Sequence, residues 1–146
     1  MKNTFRSAAI RGVISLGSLY ATVCSADIAV IAHPSVNSSQ LNAKEVRNIF
    51  LNRSNVLKLS QDPVITVFDL NSDTSKYFFK NVMRMTPSKF RAHWSTQIFT
   101  GKGVQPTYIN NADELILSVA NTPNAVGFVD DAEALAGVKV LFTIAE

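Results

Sequence analysis

The sequence predicts an α/β fold: a mixed β-sheet sandwich with helices on both faces. Three observations point there. Short apolar runs rich in β-branched residues alternate along the chain with helical segments that carry their own caps. No internal repeat, low-complexity tract or linker divides the chain, so residues 27–146 read as one domain. That stretch of 120 residues (146 − 26) contains no cysteine, so an apolar core must hold it together without disulfides.

The first 26 residues read as a cleavable secretory signal, which predicts a periplasmic protein. Lys2, Arg6 and Arg11 form a positive leading region. Gly12 to Val23 is apolar and uncharged, and Cys24-Ser25-Ala26 offers small residues for cleavage after Ala26. The apolar stretch is too short to span a bilayer. The precursor's net charge is 14 − 11 = +3; without Lys2, Arg6 and Arg11 it becomes 11 − 11, or zero. No cationic excess then remains to attract nucleic acid. The single cysteine, Cys24, leaves with the signal.

The elements follow in order. Asp27 to Ala32 is apolar on successive residues and predicts a buried strand. His33 to Gln40 is a polar turn. Asn42 with Glu45 forms a capping box for a helix reaching about Leu51, with Val46, Ile49 and Phe50 on one face. Residues 52–62 predict a loop whose Val56, Leu57 and Leu59 tuck inward. Val64 to Phe68 predicts a strand, and the helix after it runs to about Met83. Thr86-Pro87 opens another helix, with Phe90, Trp94 and Ile98 on one face, which Gly101 ends. Tyr108-Ile109 predicts a short strand. Asn111 with Glu114 suggests a second capping box, for a helix to about Asn121. Ala125 to Val129 predicts a strand interrupted by Gly127. A short helix over Asp131 to Leu135 and a last strand over Val138 to Ile144 complete the chain.

Catalytic chemistry is not indicated. There is no Gly-x-Ser-x-Gly and no Ser-x-x-Lys motif. His33 and His93 lie far apart, and neither has a second ligand at metal-binding spacing, so no metal or cofactor is expected. Asn71, Ser72 and Thr74 stand between a strand end and a helix start, where free amides and the positive end of the helix dipole favour an anion. Capping of that helix by one of them, with the others facing water, is the competing reading. Lys102, between Gly101 and Gly103, is a second candidate contact to a ligand, and Ser38 with Ser39 is a third. The aromatics Phe78, Phe79, Phe90, Trp94 and Phe99 read as core.

The order of segments resembles a known family. Leu41-Asn42-Ala43-Lys44-Glu45-Val46-Arg47-Asn48-Ile49-Phe50-Leu51 resembles a helix of the phosphate-type ABC transporter substrate-binding proteins. Val64 to Phe68 and the Ser/Thr-bearing turn after it look like that family's binding turn. Phe99-Thr100-Gly101-Lys102-Gly103 is similar to a stretch of its short, single-lobe members, and Thr122 to Val129 to its "T-P-G-(A/S)-I-G-Y-V" segment. The resemblance implies one lobe of a type II periplasmic-binding-protein-like fold, whose full-length members close two lobes on a tetrahedral oxyanion. It carries Ser72 and Thr74 over as ligand contacts. Phe68 stands where the family's turn has Arg, Leu70 where it has Asp, and Asp73 where it has Gly.

Two functions follow as expectations. One is an exported binder of phosphate or another small oxyanion, partnered by a membrane transporter; a homodimer that builds the cleft from two chains is a variant of it. The other is a ligand-free lobe that serves as a protein-interaction module in an envelope complex.

Overall fold

The computed structural model describes residues 27–130 and 135–145. The signal segment 1–26 and residues 131–134 of the short helix expected after the fourth strand lie outside the described residues. Among the described residues no helix is long and apolar enough to cross a membrane.

The strands are β1 (Ile28–Ala32), β2 (Val64–Phe68), β3 (Thr107–Ile109), β4 (Ala125–Val129) and β5 (Lys139–Ile144), in the sheet order β3-β2-β4-β1-β5. β2 is parallel to both β3 and β4; β1 runs antiparallel to β4 and β5. The helices are α1 (Ala43–Phe50), α2 (Asp73–Phe78), α3 (Pro87–Phe99) and α4 (Ala112–Asn121). The sheet is therefore mixed and covered on both faces, as the alternation of segments predicts.

Burial explains the uninterrupted apolar runs. All five residues of β1, and all five of β4, are buried. Ile28, Val30 and Ala32 enter a large core with α1, α2 and α3, while Ala29 and Ile31 enter a smaller one under α4. A strand covered on both faces needs no polar alternation. Aromatic rings fill the larger core. Phe78 stacks on Phe128 with centroids 3.9 Å apart, and Phe50 meets Phe78 edge-on at 5.3 Å.

Local signals set the helix ends. Asn42 and Glu45 form the reciprocal capping box, with bonds of 2.8 and 3.0 Å. At Asn111 the described bond runs one way, from the Glu114 amide to the Asn111 side chain. Both α1 and α3 end in a left-handed residue, Asn52 (φ 50°) and Gly101 (φ 69°). In each case the next amide reaches back five residues, Arg53 to the Asn48 carbonyl and Lys102 to the Gln97 carbonyl. In the loop after α1, Leu57 is buried and Val56 and Leu59 pack against the core, as expected.

Three expectations need correction. The helix expected to run to Met83 is regular only to Phe78. A π-helical turn, Phe79–Met83, follows and ends at Arg84 in the left-handed region. The buried Phe78, Phe79, Val82 and Met83 keep an α-like spacing, so one extra residue in the turn leaves no trace in the pattern. Arg47 supports this turn, donating from Nε and Nη2 to the Val82 carbonyl at 3.1 and 3.0 Å. Second, Phe99 is 93% exposed and Ile98 is 42% exposed, although Phe90 and Trp94 are buried. Phe99 lies nine residues beyond Phe90, which at 100° per residue is the opposite face; Ile98 falls at the margin of the buried stripe.

Third, Gly127 does not interrupt β4. It pairs with Ile31 in the ladder. A Cβ there would lie 2.9 Å from Leu115 Cδ2, 3.2 Å from the Thr66 carbonyl oxygen and 3.3 Å from Val119 Cγ2. The glycine lets α4 sit close against the sheet. Gly127→Ala is expected to destabilise the domain by about 1–3 kcal/mol, read from urea unfolding. An unchanged midpoint would show that α4 yields without cost.

Candidate functional site

β2 and β4 are parallel neighbours, so their carboxyl ends emerge side by side. The chain leaving β2 forms the turn Asp69 to Ser72 and enters α2; the chain leaving β4 continues into Asp130. In open α/β sheets this edge is the usual place for a ligand.

The turn is tightly wired. Asp69 Oδ1 accepts from the Asn71 amide at 3.0 Å, an Asx-type bond that shapes the bend. Ser72 is the N-cap of α2. Its Oγ accepts from the Ser75 amide at 3.1 Å and donates to the Asp69 carbonyl at 2.7 Å. Ser75 is fully buried and donates its hydroxyl to the Phe68 carbonyl at 3.1 Å. Thr74, 6% exposed, donates Oγ1 to Asp130 Oδ2 at 2.6 Å. That bond spans two strand ends and pins α2 to β4. Asp73 is exposed and pairs with Lys76 at 3.2 Å.

Electrostatically the edge is divided. The start of α2 presents backbone amides and the positive end of its dipole. Around it stand three carboxylates, Asp69, Asp73 and Asp130. Asp130 already takes the Thr74 hydroxyl hydrogen. An anion arriving here gains the amides and the Ser72 neighbourhood, and it must displace or share the Asp130 contact.

The other candidates lie elsewhere. Ser38 and Ser39 follow β1, whose carboxyl end lies at the opposite edge because β1 is antiparallel to β4; there His33 donates its amide to the Ala125 carbonyl at 2.9 Å. Ser39 faces a shallow cavity against β5. Lys102 belongs to the capping turn of α3. Its carbonyl accepts from Asn52 Nδ2 at 3.2 Å, joining the ends of α3 and α1. Its side chain is exposed, and no described contact links it to Ser72 or Thr74. The structure thus brings Asn71, Ser72 and Thr74 to one edge; Ser39 lies beside β5 and Lys102 in the capping turn of α3, and no described contact links them to that edge.

Sequence reasoning missed Asp130 as a partner of this turn. The signal was available only through topology, since β4 must lie beside β2 in parallel for the two to meet. His33 and His93 are explained locally. His33 Nδ1 lies 2.7 Å from Ser35 Oγ, and His93 Nε2 lies 2.8 Å from the Leu51 carbonyl oxygen, its ring edge-on to Trp94. Among the described residues no group of three or more His, Cys, Asp or Glu side chains is placed to hold a metal ion. On the edge strand β3, burial pushes the Tyr108 phenol above its usual value of 10.0, with Arg91 opposing. Folding therefore favours the neutral phenol. This contribution to stability is complete below pH 10 and fades as pH rises through the raised value.

The Thr74–Asp130 bond yields a stability test. Thr74→Val keeps the shape but leaves the carboxylate without its donor, and is expected to cost about 1–2 kcal/mol in urea unfolding. Thr74→Ser is expected to restore most of that. Equal stability of the valine variant would show that the bond does not tie α2 to β4.

No protein-family model matches the sequence, and no curated protein matches it. Solved structures do match. A candidate phosphate ABC transporter substrate-binding protein from Clostridium perfringens, with phosphate bound, superposes with a TM-score of 0.62 at 15% identity, over 80% of this chain and 45% of that one. PstS from Borrelia burgdorferi gives 0.58 at 13% identity, over 80% and 47%. An ABC-type phosphate transport receptor from Vibrio cholerae gives 0.55 at 15% identity, over 80% and 46%. The chain spans a little under half the length of these proteins. At such identities the likeness establishes architecture: the chain has a phosphate-binding-protein-like fold, of the kind that forms part of these larger receptors.

Proposed function

We propose that this chain is an exported solute-binding domain that takes phosphate or a similar small oxyanion at the β2–α2 turn, acts without catalysis and hands its ligand to a membrane transporter. The observation that carries the reading is the fold, matched over 80% of the chain to a phosphate-bound substrate-binding protein and a phosphate transport receptor. The turn supports it: Ser72 and Thr74 stand at a helix start on the carboxyl edge of parallel strands, where an oxyanion meets backbone amides. The signal-like segment 1–26 supports a periplasmic address. In this reading the described domain offers one wall of a cleft, as a chain that matches under half of each receptor's length.

Two observations favour the second reading, an interaction module of an envelope complex. Thr74 gives its hydrogen to Asp130, and Phe68 stands where a guanidinium clamp would neutralise the anion. Calorimetry with sodium phosphate and sodium sulfate separates the two. The oxyanion reading predicts saturable heat, a melting temperature that rises with ligand, and at least a tenfold weaker affinity after Ser72→Ala with Thr74→Val. No heat and no shift at about 100 times a micromolar-range Kd rules out the oxyanion reading. Recovery of one intact partner from envelope extract, unaffected by the same double variant, supports the interaction module.

A further inference from the structure

A cavity of about 600 Å³ lies between the end of α2, the π turn and the start of α3, away from the β2–α2 turn. Among its lining residues the half-buried Met85 and Pro87 are apolar, and the buried Phe79 lies beneath them. Its rim carries four cations: Lys76, Lys80, Arg84 and Lys89. Only Lys76 has a described carboxylate partner, the exposed Asp73 at 3.2 Å; among the described residues, Lys80, Arg84 and Lys89 have none.

The backbone assembles this rim. Lys76, Lys80 and Arg84 recur every four residues, a spacing at which like charges on a helix repel. The π turn then ends at Arg84, with φ 52° and ψ 40°, and the Phe79 carbonyl accepts from the amides of both Arg84 and Met85. The chain reverses there, and the first turn of α3 brings Lys89 to the same rim. Four of the eleven basic residues of the neutral segment 27–146 therefore converge on one concavity. Among the described residues no carboxylate pairs with three of them.

The geometry points to a binding site for a small amphiphilic organic anion: an apolar body against Met85 and Pro87, with a carboxylate, sulfonate or phosphate group among the cations. The volume falls within the range of small-molecule pockets, about 300–1,000 Å³, which are mostly apolar with a few placed polar groups. A bare inorganic oxyanion leaves the apolar floor wet. The site uses none of the residues proposed for the oxyanion.

Fluorescence titration of the full chain with 1-anilinonaphthalene-8-sulfonate tests this, beside N-phenyl-1-naphthylamine, which has the same apolar body without the charge. The expected result is saturable one-to-one binding of the sulfonate, at least tenfold tighter than the neutral probe and displaced by decanoate. Lys80→Glu with Lys89→Glu weakens it at least tenfold, whereas Lys44→Glu with Lys58→Glu, an equal charge change elsewhere, does not. Circular dichroism melts confirm that each variant folds; Lys80→Gln with Lys89→Gln replaces the glutamate pair if it does not. The proposal is overturned by unsaturable binding, by equal affinity for the neutral probe, or by equal losses in the two charge-reversed variants. Displacement by an oligoglutamate peptide or by phosphatidylglycerol vesicles at lower concentration than decanoate overturns it as well, in favour of a macromolecular partner.

Discussion

The constraint on which this structure depends is the complete burial of β1 and β4 on both faces. Two adjacent strands without an exposed residue need cover above and below. α1, α2 and α3 supply it on one side, around Phe50, Phe78, Phe90 and Phe128, and α4 supplies it on the other, with Gly127 allowing close approach. Once the helices are so divided, β2 and β4 lie parallel and side by side. Their carboxyl ends then share an edge, and Thr74 meets Asp130 there. The site is a consequence of the sheet.

Charge is distributed unevenly over this frame. Asp69, Asp73 and Asp130 surround the start of α2, while Lys76, Lys80 and Arg84 follow one to three turns further on and Lys89 joins them from the first turn of α3. The Asp73–Lys76 pair marks the boundary, but it is exposed and adds little to stability. Its interest is that two regions of opposite sign adjoin on one helical segment. The acidic edge favours a ligand held by backbone amides in a cleft with a second wall. The basic corner attracts anions unaided.

Much of the fold was legible in the sequence because its signals are local. The Asn42–Glu45 box, the Ser72 and Thr86 caps, Pro87 and Gly101 each mark an end through a bond within a few residues. The apolar runs mark the strands by composition. The π turn was not legible, because its buried residues keep helical spacing. Phe99 was misread because helical membership does not say which face a residue takes. The site was legible in part. Ser72 and Thr74 could be found from a strand end followed by a cap, but Thr74's acceptor lies 56 residues away. Lys102 was singled out for its flanking glycines and Ser38 with Ser39 for their place in the loop after the first strand. Ser39 lies beside β5, and the capping turn of α3 holds Lys102 near α1.

The central claim is that a small oxyanion is met by the backbone at the start of α2. A phosphate titration of the ¹⁵N-labelled chain, followed amide by amide, tests it most directly. The account predicts saturable shifts greatest at the amides of Asp73 and Thr74, extending to Asp130, with residues 38, 39 and 102 unmoved. Shifts confined to the basic corner at residues 84–89, or none at all, would contradict it.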